Sequence, residues 1–464
     1  MFVSDTVTAV CAKNYRSNNL IRRKIMPVVS DQLLTFVRMN LRPLVAKFGD
    51  PFIIHHGPEI RERLRGTNSA FRGFGLDFTE LFALKANPRL AIFKNFIMTE
   101  GCGADCSSDA ELSFAEEVGL PGELIMLTAN NVPEALYRHA MRLGGHLNFD
   151  DVTCFAKVPK PFPRRASLRV NLGKGSVLLP GEEKGKIEFN REGSKFGIPV
   201  GEIMNAYEIL IEDYGVEEVG SHSMMVSNNL DYHKVIHIIQ KQFDVLSEVV
   251  DTFGVRASYV NIGGGLGISY RLEDPDYDVK ALARECARIA EGFEKKHGYK
   301  PKIFMESGRY VTGPSAVLVN KIQNIYTKFG HKFLGVQIAM HAMPRPMLYP
   351  GEAYHHQIIV RADGTLKDGP LEEVSLVGAA CEDNDRIAKD ILLPQAEEGD
   401  YIISCSAGAH CVDQAGDYNW QFKPQELLIS DHDTVHRICS QQTYAGLTAR
   451  QRGLEGREHV LHLG

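Results

Sequence analysis

Between about residues 52 and 305 the chain alternates short apolar or β-branched runs with longer stretches whose apolar residues recur at helical spacing. The short runs are typical of buried strands: 81–84, 102–105, 124–127, 146–149, 167–170, 218–222, 259–262 and 302–305. The stretches 109–118, 232–253 and 279–297 are typical of helices. Eight strand–helix repeats over roughly 250 residues indicate a (β/α)8 TIM barrel, which we predict over residues 46–315.

Beyond residue 316 the pattern changes. Short strand-like runs at 318–325, 356–360, 373–377, 401–405 and 426–429 are joined by Gly, Pro and Asp turns, with no long helical stretch between them. We therefore expect an all-β domain, a sandwich or barrel, over residues 316–464. Residues 1–45 are expected to form an N-terminal arm and the start of an amphipathic helix at 31–48, associated with the β domain. The predicted fold class is α/β plus all-β.

Composition and charge exclude several classes of protein. The 464 residues are 44% hydrophobic and 24% charged, and the net charge of −6 gives no nucleic-acid footprint. No run approaches the roughly 20 apolar residues that cross a bilayer. The nine cysteines are scattered and form no CxxC pair, which favours a reducing, cytoplasmic location and argues against a structural metal site.

Lys85 is the sharpest chemical signal, because it ends the apolar run 81–84 and is followed at once by Asn87-Pro88. Desolvating an ammonium is costly unless the group is paired or chemically altered. A desolvated lysine has a lowered pKa and can attack an aldehyde near neutral pH. The alternative is a strand-terminal lysine that simply reaches solvent.

Two further motifs follow predicted strands. Gly263, Gly264 and Gly265 come after the run 259–262, and backbone N–H groups in a glycine turn can approach phosphate oxygens closely. Glu306 follows the run 302–305, where a carboxylate can hold a protonated ring nitrogen. Taken singly, the glycines could form an ordinary turn and the glutamate a salt bridge. Together with Lys85 they are the parts of a pyridoxal phosphate (PLP) site, at the strand ends where barrel enzymes carry their chemistry.

The predicted β domain carries two candidate substrate groups. The segment 381–385, Cys-Glu-Asp-Asn-Asp, places three carboxylates beside one thiol, which suits a substrate amine, although a solvated turn is the alternative. Arg345, four residues before Tyr349, offers a guanidinium that can bind a carboxylate through two hydrogen bonds. Alone, that segment would be described as a surface loop.

In this order, the motifs at 83–88, 194–197, 263–267, 306–309, 345–349, 381–382 and 407–409 resemble those of the fold-type III PLP-dependent decarboxylases, above all the diaminopimelate decarboxylase family. The resemblance covers about residues 32–429. It implies an alanine-racemase-like barrel with a C-terminal β domain, PLP as cofactor, an amino-acid substrate, and a homodimer whose active sites are shared between subunits.

The resemblance also implies roles by position. Lys85 corresponds to the Schiff-base lysine, Glu306 to the acid on the pyridine nitrogen, and Cys381 to the thiol that the partner subunit delivers to protonate Cα. The phosphate site corresponds to Ser227 and to Gly263, Gly264 and Gly265. The other expected cofactor contacts are Asp105, His222, Met224, Arg309 and Tyr418. The expected substrate contacts are Arg309, Arg345, Tyr349, Glu382, Asp383 and His410.

Three departures from the family pattern lie around the substrate. Met224 stands where the family has the imidazole that stacks on the cofactor ring, and a thioether can still pack on an aromatic face. His410 replaces a tyrosine, and Cys-Glu-Asp-Asn-Asp replaces Cys-Glu-Ser-Gly-Asp at 381–385. These changes bear on specificity more than on the chemistry at Lys85.

The family branch acts at a D-configured carbon, and the extra carboxylates Asp383 and Asp385 suit a bare distal amine. We therefore expect a similarity to D-ornithine/D-lysine decarboxylases, which release CO2 to give putrescine or cadaverine. Arg345 supports the alternative, meso-diaminopimelate, because it could hold a second carboxylate. A racemase is less favoured, since an acid at Glu306 most suits decarboxylation. A non-catalytic homologue would be expected to lose the lysine or the glycine cradle.

Overall fold

The computed structural model describes residues 28–173 and 193–451. Its larger unit is a closed barrel of parallel strands, in which each strand pairs with its neighbours and the first pairs with the last. The predicted (β/α)8 barrel is confirmed, and each predicted strand is present. The strands are Phe78–Ala83, Gly103–Cys106, Ile125–Ala129, His146–Phe149, Arg165–Asn171, Glu218–His222, Arg256–Asn261 and Lys302–Met305, with Ile198–Pro199 as a short addition beside the fifth.

Helices cover the outside of this barrel. Those longer than one turn are Gly57–Gly73, Asp109–Glu117, Glu134–Arg142, Ile203–Glu208, Tyr232–Phe253 and Val279–His297, and shorter turns fill the segments 84–100, 122–124, 152–157, 209–213 and 309–315. The two longest helices have the predicted bounds because each is capped at both ends. The side chains of Asp231 and Asp278 cap their N-termini, and Gly254 and Gly298 take the left-handed conformation after their last turns.

The second unit is a mostly antiparallel sheet. It contains the five predicted strands, now bounded as Ala316–Lys328, Gln357–Val360, Leu371–Val377, Tyr401–Ser404 and Gln425–Ile429. The strands that the sequence pattern did not indicate are Phe52–His56, His331–Val336, Arg386–Pro394 and Val435–Cys439. Short helical turns lie at Arg345–Leu348, Val412–Gln414, Tyr418–Trp420, Asp431–Asp433 and Tyr444–Thr448.

The strand Phe52–His56 lies within the range 46–315 expected for the barrel, yet it hydrogen-bonds into the second sheet. It pairs antiparallel with Ala316–Lys328 and parallel with Gln425–Ile429. All five of its residues are buried, so the polar–apolar alternation that marks a half-exposed strand is missing. The barrel segment starts only after this strand.

The N-terminal segment 31–48 forms two helices, Asp31–Met39 and Leu41–Phe48, instead of the single predicted one. The break falls at Asn40, whose φ of −107° and ψ of 11° are not helical. Leu33, Val37 and Leu41 pack in one apolar cluster with side chains of the second sheet. Burial of one such side chain contributes about 1.5–3 kcal/mol. Most of the expected arm, residues 1–27, lies outside the described residues.

Two hydrogen bonds to backbone carbonyls join the two units beside Lys85. The Asn87 side chain donates to the carbonyl of Gly408 at 2.9 Å, and the His410 N–H donates to the carbonyl of Ala86 at 2.9 Å. The segment after the first barrel strand is thus held between barrel and sheet. Among the described residues, no helix combines the length and apolarity that crossing a membrane requires.

Candidate active site

A cavity of about 660 Å³ opens at the carboxyl ends of the barrel strands, against the second sheet. Most of the polar side chains on its wall come from barrel loops, and the rest come from two loops of the β domain. Of the sequence-predicted residues, the wall contains Lys85, His222, Met224, Ser227, Glu306, Arg309, Arg345, Tyr349 and His410. It also contains residues that the sequence did not single out, among them Asp150, Arg169, Asp413 and Gln414.

Lys85 lies in the 3-10 turn Leu84–Ala86 directly after the first barrel strand. Its backbone neighbours are buried, but half of its side chain is exposed, at 50%, towards the cavity. The expectation of a desolvated ammonium was therefore wrong for this state of the protein, because the strand run is buried and the side chain leaves it. Nζ lies 3.7 Å from Oδ2 of Asp105, which is fully buried beneath it.

Burial raises the pKa of Asp105 well above its ordinary value, and the nearby charge of Glu306 raises it further, against the opposing effect of Lys85. Asp105 is therefore a buried acid beneath Lys85 whose ionisation the surroundings disfavour.

Glu306 follows the last barrel strand and is held by two groups. Its Oε2 lies 3.1 Å from Nε2 of His222, and its Oε1 accepts a hydrogen bond from the Asn261 side chain at 2.6 Å. Burial alone would raise the pKa of Glu306, but His222, Lys85 and the Asn261 hydrogen bond outweigh it and lower the pKa to about 2. The cavity wall therefore contains a fixed negative charge.

A second buried acid lies next to Glu306 in the barrel. Oε1 of Glu80 accepts hydrogen bonds from both the N–H and the hydroxyl of Ser307, at 2.6 and 2.9 Å. Burial raises the pKa of Glu80 well above its ordinary value, more strongly than these bonds lower it, and Glu306 adds to the increase. Sequence reasoning missed this residue, because an isolated acid in an apolar run carries no motif.

The glycine run lies between Glu306 and the loop after the strand Glu218–His222. A Cβ on Gly263, Gly264 or Gly265 would collide with a backbone carbonyl oxygen, namely that of Ser223, Glu306 or Val226, respectively. Gly263 and Gly265 also have positive φ angles, of 67° and 86°. The backbone is therefore closely packed here only because side chains are missing. The N–H of Gly264 donates to Sδ of Met224 at 3.3 Å.

Two guanidinium groups lie at the β-domain side of the cavity. Arg309 is buried and donates to the hydroxyl of Tyr270 at 2.5 Å. Arg345 is also buried, and its guanidinium carbon lies 5.7 and 5.5 Å from the ring centroids of Tyr270 and Tyr349. Burial lowers the pKa of Arg309, and Arg345 lowers it further, while Tyr270 opposes both. Neither guanidinium forms a salt bridge with a carboxylate within residues 28–173 and 193–451, so both are available to an anionic ligand.

His410 reaches the cavity wall from a strained backbone, with φ of 55° in a residue other than glycine. Burial lowers the pKa of its imidazole well below the ordinary value, and the charges of Arg309, Lys85 and Arg345 lower it further. The imidazole is therefore neutral at physiological pH and lies among three cations.

The acidic segment 381–385 does not reach this cavity. Cys381, Glu382 and Asp383 are exposed, and Asp383 forms an ion pair with Arg386. Asp385, in contrast, is buried and accepts hydrogen bonds from the backbone N–H groups of Met340 and Ala380. It organises the loop and does not offer its charge to a ligand, so the three-carboxylate cluster expected from the sequence was wrong.

Tyr418 lies with Cys381 and not on the wall of the cavity. Its hydroxyl donates to the carbonyl of Cys381 at 3.2 Å, and the N–H of Cys381 donates to the Asn419 side chain at 2.6 Å. The expected contact between Tyr418 and the cofactor is therefore not formed within one chain. Tyr418 and Cys381 belong to one exposed surface.

The residues in and around the cavity fit PLP. Lys85 and the ionised carboxylate of Glu306 lie on its wall, whereas the glycine run lies behind the wall and contacts it through the hydrogen bond from the N–H of Gly264 to Met224. The buried Nδ1 of His222 has no hydrogen-bond partner among the described residues. Within the same part of the chain, no group of three or more His, Cys, Asp or Glu side chains is arranged to hold a metal ion.

Comparison with known proteins places this site in a family context. Residues 58–313 match the family described as pyridoxal-dependent decarboxylase, pyridoxal binding domain. Protein TabA of Pseudomonas amygdali pv. tabaci is 34% identical over 405 residues, which cover 87% of this chain and 91% of that protein. A diaminopimelate decarboxylase of Methanothermobacter thermautotrophicus is 29% identical, with 88% and 93% covered.

Solved structures are similar over the same extent. The diaminopimelate decarboxylase of M. jannaschii in complex with L-lysine superposes with a TM-score of 0.78 at 26% sequence identity. The superposition covers 89% of this chain and 94% of that one. The likeness therefore includes both the barrel and the second sheet.

Proposed function

This chain belongs to the pyridoxal-dependent decarboxylases, and we propose that the basic amino acid it decarboxylates is meso-diaminopimelate, giving L-lysine. The observation that carries this proposal is the pair of guanidinium groups, Arg309 and Arg345. Both are buried at the cavity wall, and neither forms a salt bridge within the described part of the chain. A substrate with a second carboxylate, which stays after CO2 leaves, gives such a pair a ligand.

The relatives support the same choice. Diaminopimelate decarboxylases of several organisms match this chain over most of its length. The expectation from sequence, D-lysine or D-ornithine, rested on the family branch and on the extra carboxylates Asp383 and Asp385. Because Asp385 is engaged within its own loop, that argument is weakened. D-lysine and D-ornithine remain the second candidate, supported by the exposed carboxylates of Glu382 and Asp383.

PLP, when bound, supplies an aldehyde and an aromatic ring that can accept the electron pair released at the substrate Cα. Lys85 is the amine within the cavity that would hold this aldehyde. Glu306 would keep a ring nitrogen protonated, since its own pKa of about 2 leaves it ionised. The turn of Gly263, Gly264 and Gly265, together with Ser227, would bind the phosphate. Met224, half-buried on the cavity wall, would pack against one ring face.

After CO2 leaves, a proton must reach Cα. Within one chain the thiol of Cys381 is exposed and does not line the cavity. We propose that the enzyme is a homodimer in which Cys381 and Glu382 of one copy complete the cavity of the other. The exposed position of Cys381, Glu382 and Tyr418 on one surface supports this proposal.

Mixing two inactive variants tests the dimer. Lys85→Ala and Cys381→Ala each lose activity, but exchange of subunits produces heterodimers in which one cavity contains both intact residues. Partial recovery of activity on mixing is expected. If the mixture stays as inactive as its components, although light scattering shows dimers that exchange, the shared site is wrong.

A substrate panel tests the reaction. The purified holoenzyme is incubated separately with meso-diaminopimelate, D-lysine, D-ornithine and L-lysine, and both CO2 and the product amine are quantified. We expect meso-diaminopimelate to react fastest. Turnover of D-lysine or D-ornithine alone would favour the second candidate, and a change of configuration without release of CO2 would indicate a racemase.

The variant Arg345→Met tests, with the same substrates, whether the guanidinium pair binds the second carboxylate. Loss of one charge-assisted contact costs about 1.5–3 kcal/mol, so kcat/KM for meso-diaminopimelate should fall about ten- to a hundred-fold, while that for D-lysine changes little. An equal fall for both substrates would show that Arg345 does not distinguish the second carboxylate.

A further inference from the structure

Asp413 is a cavity-wall carboxylate to which neither the sequence motifs nor the comparisons assign a role. It lies in the short turn Val412–Gln414 of the β domain, and its side chain is 18% exposed, at the wall of the cavity. One oxygen, Oδ1, accepts a hydrogen bond from Nη1 of Arg89 at 2.6 Å. Within residues 28–173 and 193–451, no hydrogen bond ends on the other oxygen, Oδ2.

The cation behind Asp413 is shared with a second carboxylate. Nε and Nη2 of Arg89 both donate to Oε1 of Glu426, at 2.8 and 2.6 Å, and the other oxygen of Glu426 lies 2.8 Å from Nε2 of His55. Arg89 is not on the cavity wall, and two of its three hydrogen bonds go to Glu426. The guanidinium of Arg89 therefore forms hydrogen bonds with two carboxylates. The carboxylate with fewer bonds is Asp413, which faces the ligand space.

Asp413 lines the same cavity as Arg309 and Arg345. Burial raises the pKa of the Cys411 thiol to about 12, while Arg345 and Arg309 lower it and Asp413 raises it, so the three charges act on one buried neighbour. At this end of the cavity, a negative group and two positive groups face the same volume. That pattern is complementary to an ammonium and a carboxylate on one carbon, the two groups at the distal end of a diamino diacid.

We propose that Asp413 binds the distal ammonium group of the substrate, beside the guanidinium pair that binds the distal carboxylate. The proposal rests on the proposed function and extends it, because it assigns the distal amine to a residue of the same chain and not to the exposed segment 381–385. It defines the substrate class as an amino acid whose far end is itself zwitterionic.

The test compares two substrates that differ only in the distal amine. meso-Diaminopimelate and D-2-aminopimelate have the same carbon chain and the same two carboxylates, and Asp413→Asn keeps an oxygen that can accept from Arg89. We expect the variant to lower kcat/KM for meso-diaminopimelate about ten- to a hundred-fold, chiefly through KM. Its kcat/KM for D-2-aminopimelate should stay within about two-fold of the wild type. If D-2-aminopimelate reacts too slowly, its Ki as a competitive inhibitor replaces kcat/KM.

Two control variants separate ligand binding from a structural role. Asp413→Glu keeps the charge and should retain part of the preference for the amine-bearing substrate. Glu426→Gln removes a carboxylate from the same Arg89 network but outside the cavity, so it should lower the melting temperature and affect both substrates alike. The cofactor absorbance should be unchanged in all folded variants.

The outcomes are distinguishable. If Asp413→Asn lowers kcat/KM equally for both substrates, as Glu426→Gln is expected to do, Asp413 only positions Arg89 and the inference is wrong. If the wild-type holoenzyme turns over no diamino diacid at all, the proposed function fails, and the inference fails with it.

Discussion

Oε2 of Glu306 lies 3.1 Å from Nε2 of His222, and both side chains are fully enclosed at the floor of the cavity. A buried carboxyl would ordinarily hold its proton. Here the imidazole, the Asn261 amide and Lys85 together lower its pKa to about 2. The negative charge of Glu306 is therefore maintained by neighbouring groups of the protein itself.

This arrangement predicts a specific pH dependence of stability. A carboxyl whose pKa is lowered by folding binds fewer protons in the folded than in the unfolded state. It therefore adds stability above its ordinary pKa of 4.5, and this contribution disappears as the pH falls towards 2. The difference in free energy of unfolding between the wild type and Glu306→Gln should be largest near neutral pH. Below pH 4.5 it should shrink by at most about 1.4 kcal/mol per pH unit, as measured by denaturant titration of the apoenzyme.

For Glu80 we expect the opposite pH dependence of stability. Its pKa is raised by burial, so the folded state binds more protons than the unfolded state, and the residue costs stability increasingly as the pH rises above 4.5. Glu80→Gln retains an acceptor for Ser307 and removes this cost. The variant should be more stable than the wild type at pH 7, and its advantage should disappear near pH 4.5. Glu291→Gln, on the exposed face of the helix Val279–His297, is the control, and an advantage that does not change with pH would contradict the prediction.

Gly264 allows a test of the proposed phosphate site. A methyl group there would collide with the carbonyl oxygen of Glu306, whereas one on Gly292, in an exposed helical position, meets nothing within 4 Å. Gly264→Ala should weaken PLP binding at least ten-fold and lower the melting temperature. Gly292→Ala should leave PLP affinity unchanged and add about 0.5–1 kcal/mol of stability. Both are measurable by cofactor titration and thermal unfolding, and equal PLP affinities would refute the cradle.

Arg89 predicts a large stability effect at the contact between barrel and sheet. Its replacement by Met leaves Asp413 and Glu426 without their cation, and loss of one partner from a buried ion network costs about 3–5 kcal/mol. Arg164, paired with Glu217 on the surface, is the matched control, and Arg164→Met should change stability by less than about 1 kcal/mol. Similar losses in the two variants would show that the Arg89 network is not buried in solution.

The sequence pattern predicted most of the fold because it reports burial. All barrel strands were recognisable as short apolar runs, and the helices Tyr232–Phe253 and Val279–His297 were bounded by their own caps. The strand Phe52–His56 was missed because its partners lie hundreds of residues away and its burial on both faces removes the alternation. Pairing between such distant segments is a tertiary property that no local pattern contains.

The site residues also divide into those that a local pattern indicates and those that only the tertiary fold brings to the cavity. The position of Lys85 and Glu306 on the cavity wall was predictable because each directly follows a strand, and strand ends in a barrel converge. Asp150 also ends a strand region, after His146–Phe149, and could have been found by that rule. Asp413 could not, because a β-domain loop carries it to the barrel mouth. Asp385 was misjudged because composition alone cannot tell a carboxylate that binds backbone N–H groups from one that is free to bind a ligand.

The pairing of Phe52–His56 has a consequence for the order in which the protein can be made. This strand leaves the ribosome before the barrel, but both of its hydrogen-bonded neighbours, Ala316–Lys328 and Gln425–Ile429, are synthesised after it. The barrel can close while translation continues, whereas the sheet must wait until Gln425–Ile429 has emerged. Because loops of that sheet complete the cavity mouth, a nascent chain acquires its complete pocket only after the barrel segment has been made and this strand has followed it.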